Sequence, residues 1–162
     1  MKQIILFLFF STSLFSQKTI EFFESNKLSE SREITIGLPE SYEKNPDKRY
    51  PILVLLDGDY LFDPFYGALS YGAYWEDMPE TIIVGISQNI NEERIDDCNY
   101  DDANGLPSGK GASFFSFIGS ELLPYIEKKY RVAPFRIIAG HDTTAGYLNF
   151  FLYKDYSIFN AY

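Results

Sequence analysis

Short apolar runs separated by polar loops set the hydrophobic pattern of the chain. Residues 32–39 alternate apolar and polar positions, which is typical of a strand with one buried face. Residues 52–56, 81–87 and 135–140 are instead almost continuously apolar, the pattern of strands that are covered on both faces. These four segments are the strands that the sequence predicts.

Two further segments repeat apolar residues at helical spacing. In 114–129 they recur three or four positions apart, which predicts one buried helical face. Pro124 lies within this segment and lacks a backbone N–H, so we expect the helix to kink or restart there. A second helix is predicted over 146–153. Buried strands that alternate with helices predict an α/β fold with a largely parallel sheet.

The first 16 residues have the composition of a secretory signal. Lys2 precedes an apolar run over 4–10, and a small residue, Ser16, follows. The run is shorter than the roughly 20 apolar residues that cross a bilayer, so no transmembrane segment is expected. We therefore predict a signal peptide over 1–16, one domain over 17–162, and export to the periplasm or beyond the cell. A buried N-terminal strand or helix is the alternative interpretation.

Charge and cysteine content narrow the classes of partner. The net charge is −9, and loss of Lys2 with the signal would make it −10. An acidic surface disfavours nucleic acids and anionic membranes as partners. Cys98 is the single cysteine, which excludes an internal disulfide.

Six segments, taken together, resemble one family. In chain order they read LPESY, RYPILVLLDGDYLF, MPETIIVGI, SFIGSELLPYIEKKYRV, RIIAGHD and IFNAY, and they run from residue 38 to residue 162. The chain is similar to α/β-hydrolases, in particular to the esterases related to enterochelin esterase and esterase D. The resemblance implies a mostly parallel sheet with flanking helices, of which this chain carries only the N-terminal part. It also implies hydrolysis of carboxylic esters.

The stretch IIAGHDTTAG, residues 137–146, resembles the turn on which this family holds its nucleophile. The family pattern is G-x-S-x-G, in which a strained strand-to-helix turn exposes a serine. Asp142 stands at the serine position, and Thr144 stands where the family prefers glycine. By the same resemblance, the oxyanion hole would use the backbone amides of Thr143 and of Asp59 or a neighbour.

These departures change the expected chemistry. A carboxylate that attacks an ordinary ester would form an anhydride, although it can attack saturated carbon, as in haloalkane dehalogenases and epoxide hydrolases. His141 is the one histidine, and a packed or hydrogen-bonded structural role is expected for it, so these residues cannot build a Ser-His-Asp triad. The family's acid and histidine lie beyond IFNAY. We also expect the β-branched Thr144 to relax the turn, and strand 135–139 to leave an unpaired apolar edge.

Three functions follow as hypotheses. The first is an exported esterase-family hydrolase that is inactive or incomplete as this chain, the second a ligand-binding relative without catalysis, and the third an Asp-nucleophile hydrolase. A small acyl ester or related molecule is the expected ligand, and the aromatic residues over 60–75 are candidates for its pocket. No cofactor or metal is expected, because the acidic loop that starts at Asp97 lacks two residues of the calcium pattern. The oligomeric state is left open.

Overall fold

A five-stranded sheet forms the centre of the protein, in the order β1-β2-β4-β3-β5. The computed structural model describes residues 17–88, 93–152 and 157–162, so the predicted signal segment lies outside the described residues. The strands are β1 (Lys18–Ser25), β2 (Glu30–Gly37), β3 (Tyr50–Leu55), β4 (Ile82–Ile86) and β5 (Val132–Ala139).

Strand direction divides the sheet into two parts. β3 pairs in parallel with both β4 and β5, whereas β2 pairs antiparallel with β4 and with β1. The three continuous apolar runs form the parallel strands β3, β4 and β5, and the alternating segment forms β2. The predicted α/β fold is confirmed, and β1 is the strand that the pattern did not predict.

Helices cover both faces of this sheet. α1 (Gly58–Tyr74) packs on one face against Leu53, Leu55 and Ile83. On the other face, α3 (Lys110–Phe117) and α4 (Leu123–Lys129) pack Phe114, Phe117 and Ile126 into the larger core. No helix of the described residues is long and apolar enough to cross a membrane. The helices are α1 (Gly58–Tyr74), α2 (Glu93–Asp97), α3 (Lys110–Phe117), α4 (Leu123–Lys129), α5 (Thr143–Tyr147) and α6 (Asn149–Leu152).

Pro124 restarts the helix in which it lies, as predicted. A π-helical turn over Ile118–Leu122 separates α3 from α4, and Pro124 occupies the first turn of α4. A proline is tolerated at that position because a first-turn N–H has no acceptor within the helix.

The edge of β5 differs from the expectation. The N–H of Ile138 donates to the carbonyl of Ala161 at 3.1 Å, and the N–H of Asn160 donates to the carbonyl of Arg136 at 2.8 Å. The expected unpaired edge is therefore wrong over 136–138, where residues near 160 add a parallel bridge.

A buried ion pair joins β2 to α2. Arg32 donates from Nη1 to Asp97 Oδ2 at 2.5 Å and from Nη2 to Asp97 Oδ1 at 3.1 Å, and both side chains are buried. Gln88 Nε2 also donates to Asp97 at 3.0 Å. The first acidic residue of the partial calcium pattern is therefore bound to protein groups, and it acts as a structural contact between two elements.

Gly58 is the point of closest approach between α1 and β4. A Cβ at this position would lie 2.8 Å from both the carbonyl carbon of Gly85 and the amide nitrogen of Ile86. We expect Gly58→Ala to lower the free energy of unfolding by about 1–3 kcal/mol, measured by urea denaturation, because backbone must shift. Gly67→Ala is the control, since a Cβ there meets nothing within 4 Å. Equal effects of the two substitutions would contradict this packing.

Candidate functional site

Polar residues collect where the three parallel strands end. Asp57 follows β3, Gln88 lies just beyond β4, and His141 and Asp142 come after β5. Because parallel strands present their carboxyl ends at one edge, these side chains meet in the crevice where α/β folds bind ligands. The crevice is the candidate site.

The turn after β5 has the strained geometry of a nucleophile elbow. Asp142 adopts φ 55° and ψ −114°, and α5 begins at the next residue, Thr143. A positive φ is rare for residues other than glycine and persists only where the surroundings enforce it. The carboxylate of Asp142 stands at the tip with its side chain 70% exposed.

Thr144 holds this turn in place, so the expected relaxation is wrong. Its buried hydroxyl accepts a hydrogen bond from the His141 N–H at 2.8 Å and donates to Asp57 Oδ2 at 2.7 Å. The close approach of strand and helix occurs at Gly140, where a Cβ would lie 2.9 Å from the Thr144 carbonyl carbon. One glycine is enough here, and the threonine contributes hydrogen bonds that glycine cannot make.

Asp57 is the charged centre of the site. It is fully buried and has a left-handed backbone conformation, with φ 56° and ψ 38°. Its carboxylate accepts from Arg94 Nε at 2.7 Å and Arg94 Nη2 at 3.3 Å, in addition to Thr144. Its N–H donates to Gln88 Oε1 at 3.0 Å. Every strand end in the crevice is thus connected to this residue.

Arg94 connects Asp57 to the elbow. Its Nη2 donates to the carbonyl of His141 at 2.8 Å, and its Nη1 lies 3.7 Å from Asp142 Oδ2. The hydrogen bond to Asp57 is the main reason that the pKa of Arg94 is raised. Sequence reasoning missed this residue. Its one signal is that Arg94 is the single basic residue of the acidic stretch 88–104.

His141 makes a structural contact. Its Nδ1 lies 3.1 Å from the hydroxyl of Tyr60, and the two rings meet edge to face. Burial, followed by the charge of Asp57, raises the pKa of Tyr60, which favours the protonated hydroxyl. This arrangement agrees with the structural role expected from the sequence.

The two residues predicted to supply oxyanion amides both lie in first helical turns at this edge. Thr143 opens α5, where an α-helix leaves N–H groups without intrahelical acceptors. Asp59 lies in the first turn of α1, and its carboxylate accepts from Ser87 Oγ and, at 2.8 Å, from the Gln88 N–H. The bond between Asp57 and Thr144 joins these turns. Their role as an oxyanion hole stays a prediction.

A cavity of about 410 Å³ opens beside the elbow, next to Thr143. Burial raises the pKa of Cys98 in its wall to about 12, so this thiol stays protonated at neutral pH. Within the described residues, no three His, Cys, Asp or Glu side chains are grouped to hold a metal ion. The cavity is lined by Cys98, Tyr100, Gly105, Thr143, Gly146, Tyr147, Asn149 and Phe150.

The aromatic residues over 60–74 belong to α1, Trp75 caps its C-terminus, and none of them lines this cavity. Phe62 is buried in the core, whereas Tyr71 and Trp75 are exposed. Tyr66 and Tyr74 line a smaller cavity of about 170 Å³ with Glu40 and Glu80. The predicted aromatic pocket is therefore split between core, surface and this second cavity.

Thr144 provides a direct test of the network. We expect Thr144→Val to lower the free energy of unfolding by about 1–3 kcal/mol in denaturant titrations, because it leaves the buried Asp57 short of a donor. Thr143→Val is a matched control at the neighbouring exposed position, with an expected change within about 0.5 kcal/mol. A Thr144→Val protein as stable as the parent would show that the hydroxyl does not hold the elbow.

The sequence matches the family model described as "Putative esterase" over residues 25–149. No curated protein matches the chain. Among solved structures, an uncharacterised protein from Capnocytophaga ochracea is 30% identical with a TM-score of 0.78, over 89% of this chain and 39% of that one. An IroE-like serine hydrolase from Shewanella oneidensis is also 30% identical, with a TM-score of 0.75, over 90% of this chain and 49% of that one.

An enterochelin esterase from Shigella flexneri shares the fold at 20% identity, with a TM-score of 0.65 over 83% of this chain and 32% of that one. The chain thus spans less than half the length of these three proteins. The family match covers most of the present sequence, including the elbow. The chain belongs to the esterase family of α/β-hydrolases.

Proposed function

We propose that this chain is an exported member of the esterase family that binds a small acyl ester or related molecule without hydrolysing it. The group that the elbow presents is the main support for this proposal. The elbow keeps its strained geometry, but the group that it presents is the carboxylate of Asp142, ion-paired with Arg94.

Charge at the elbow opposes ester hydrolysis. Acyl transfer develops negative charge on the carbonyl oxygen, which N–H donors near Thr143 would stabilise in an active relative. The carboxylate of Asp142 is adjacent to that position in sequence, and its negative charge reduces the stabilisation that these donors could give to an oxyanion. Arg94 offsets this charge only in part, because its guanidinium already binds Asp57 and the His141 carbonyl.

A general base is the second requirement. Serine-type hydrolysis needs an imidazole that takes the nucleophile's proton and later activates water. His141 is the one histidine of the chain, and its Nδ1 faces Tyr60. We infer that the 162 residues contain no complete acid–base system for turnover.

Ligand binding is supported by the cavity beside the elbow. The aromatic side chains of Tyr100 and Phe150, together with the Cα of Gly146, offer an apolar surface next to the polar crevice. Ligand sites typically combine such apolar walls with a few polar groups that orient the ligand. The family resemblance points to an acyl ester or an analogue as the occupant.

We expect no ester turnover by this chain above that of Asp142→Asn, because neither variant has a usable nucleophile and base. Release of chromophore from short-chain nitrophenyl esters measures turnover, and calorimetry with non-hydrolysable amide analogues measures binding. Asp142→Ser should also stay inactive, because the base is still missing. A clear rate that disappears in Asp142→Asn would contradict the proposal, and so would activity gained by Asp142→Ser alone.

A second candidate is hydrolysis at saturated carbon, with Asp142 as the nucleophile. The retained elbow and the exposed carboxylate favour its first step, in which a carboxylate oxygen bonds to the saturated carbon and halide leaves, with no need for an oxyanion hole. The ester formed on Asp142 then needs an activated water, so without a further base the chain would react in a single turnover. Halide release from haloalkanes, lost in Asp142→Asn, would support this candidate against the binding proposal.

Export is proposed from the composition of residues 1–16. We expect a fusion of residues 1–30 to a reporter enzyme that is active only outside the cytoplasm to give activity, because a basic start and a short apolar run direct secretion. Ile5→Asp and Phe7→Asp together should abolish it by breaking the apolar run. Equal reporter activity in both fusions would contradict export through this segment.

A further inference from the structure

Within residues 17–88, 93–152 and 157–162, β1 presents a long open edge. Among the described residues its strand neighbour is β2, with an unbroken register from Lys18 opposite Gly37 to Ser25 opposite Glu30. Its other edge forms the border of the described sheet. An open eight-residue edge is a template for another strand, and proteins either protect such an edge or use it for assembly.

The two faces of β1 have different surroundings. Glu21 and Phe23 contact Tyr125 on the side of α4, so the odd-numbered side chains face those helices. The even-numbered side chains lie on the opposite face, because side chains alternate along a strand. On that face Ile20 is 55% exposed and Phe22 is 71% exposed. Two large apolar side chains therefore lie in water beside the open edge.

Backbone hydrogen bonding indicates which residues of β1 point their peptide groups outward. The N–H of Leu38 donates to the carbonyl of Gln17 at 2.8 Å, and these two residues continue the register of β1 with β2. Antiparallel partners that exchange hydrogen bonds alternate with partners that do not. The odd-numbered residues of β1 therefore bond to β2. The N–H and carbonyl groups of the even-numbered residues face the open edge.

The sequence of the even-numbered residues is complementary to itself. They are Lys18, Ile20, Phe22 and Glu24, a cation, two apolar residues and an anion. When two such strands run antiparallel about Glu21, Lys18 falls opposite the partner's Glu24 and Ile20 falls opposite the partner's Phe22. A shift by two residues in either direction would lose both the charge pairs and the Ile–Phe pairs.

We propose that two copies of this chain pair antiparallel through β1, with Lys18 opposite the partner's Glu24 and Ile20 opposite the partner's Phe22. The residues brought opposite each other are those whose peptide groups face outward, so each pair can exchange two backbone hydrogen bonds. Cross-strand pairs of opposite charge and of large apolar residues stabilise antiparallel strands. The five-stranded sheets of the two copies then form one continuous sheet with twofold symmetry.

The charges at the centre and ends are compatible with this pairing. Glu21 of each copy meets its counterpart at the twofold axis, but its carboxylate already accepts from Lys129 Nζ at 2.6 Å and Tyr125 Oη at 2.5 Å. Lys18 lies 2.5 Å from Asp63, and the pairing would add the partner's Glu24 to its contacts. The interface therefore adds a favourable pair at each end without placing bare like charges at its centre.

Sedimentation equilibrium over a dilution series tests the proposal. We expect the wild-type chain to be a dimer, and we expect Lys18→Glu and Glu24→Lys each to raise the dimer dissociation constant on the order of tenfold, because each places like charges opposite one another at both ends. Mixing the two variants should restore dimers. In the mixed dimer the two substituted side chains, an acid and a lysine, face each other at one end, and the native Lys18 faces the native Glu24 at the other. The variant that carries both substitutions should dimerise likewise.

Phe22→Thr is a second probe that keeps Lys18 and its contact with Asp63. This exposed side chain can be shortened without opening the core, so we expect a native circular dichroism spectrum with a weakened dimer. A monomeric wild-type chain would overturn the proposal. Native-like charge variants that dimerise as well as the wild type, or that fail to recover on mixing, would also overturn it.

Discussion

A carboxylate without contact with water holds the candidate site together. Asp57 follows strand β3 in a left-handed conformation; its charge is balanced by Arg94 from α2, and it accepts a hydrogen bond from the hydroxyl of Thr144 in α5. A buried charge is tolerated only when its partners are in place, and loss of one partner is costly. The position of Arg94, the shape of the elbow and the orientation of Asp142 all depend on this group.

The same network keeps the elbow in its strained conformation although a carboxylate stands at the nucleophile position. The elbow stores backbone strain, and that strain persists because Thr144 and Gly140 fix the strand against the helix. The residue held in this strained conformation is Asp142, whose carboxylate lies near Arg94. The scaffold therefore presents an acidic side chain at the strand ends, at the position where the family pattern has serine.

Local patterns predicted the parts of the fold that depend on local chemistry. The apolar runs gave β3, β4 and β5, Pro124 gave the restart of α4, and the elbow followed from a strand that enters a turn. β1 was missed because polar residues interrupt it, and α1 because Pro64 and glycines obscure its helical spacing. Arg94 lies 37 positions from Asp57 in the sequence, so no local hydrophobic pattern could predict their contact. The expectation for Thr144 was wrong because it considered size alone and left out the hydroxyl.

Intact-mass spectrometry during incubation with an activated ester tests whether Asp142 forms a covalent intermediate. A nucleophile that works by covalent catalysis passes through an acyl adduct, which can be trapped by rapid acid quench and mapped to its residue. We predict that the mass stays that of the unmodified chain at all times. An adduct on Asp142 that forms and then decays as product is released would contradict it.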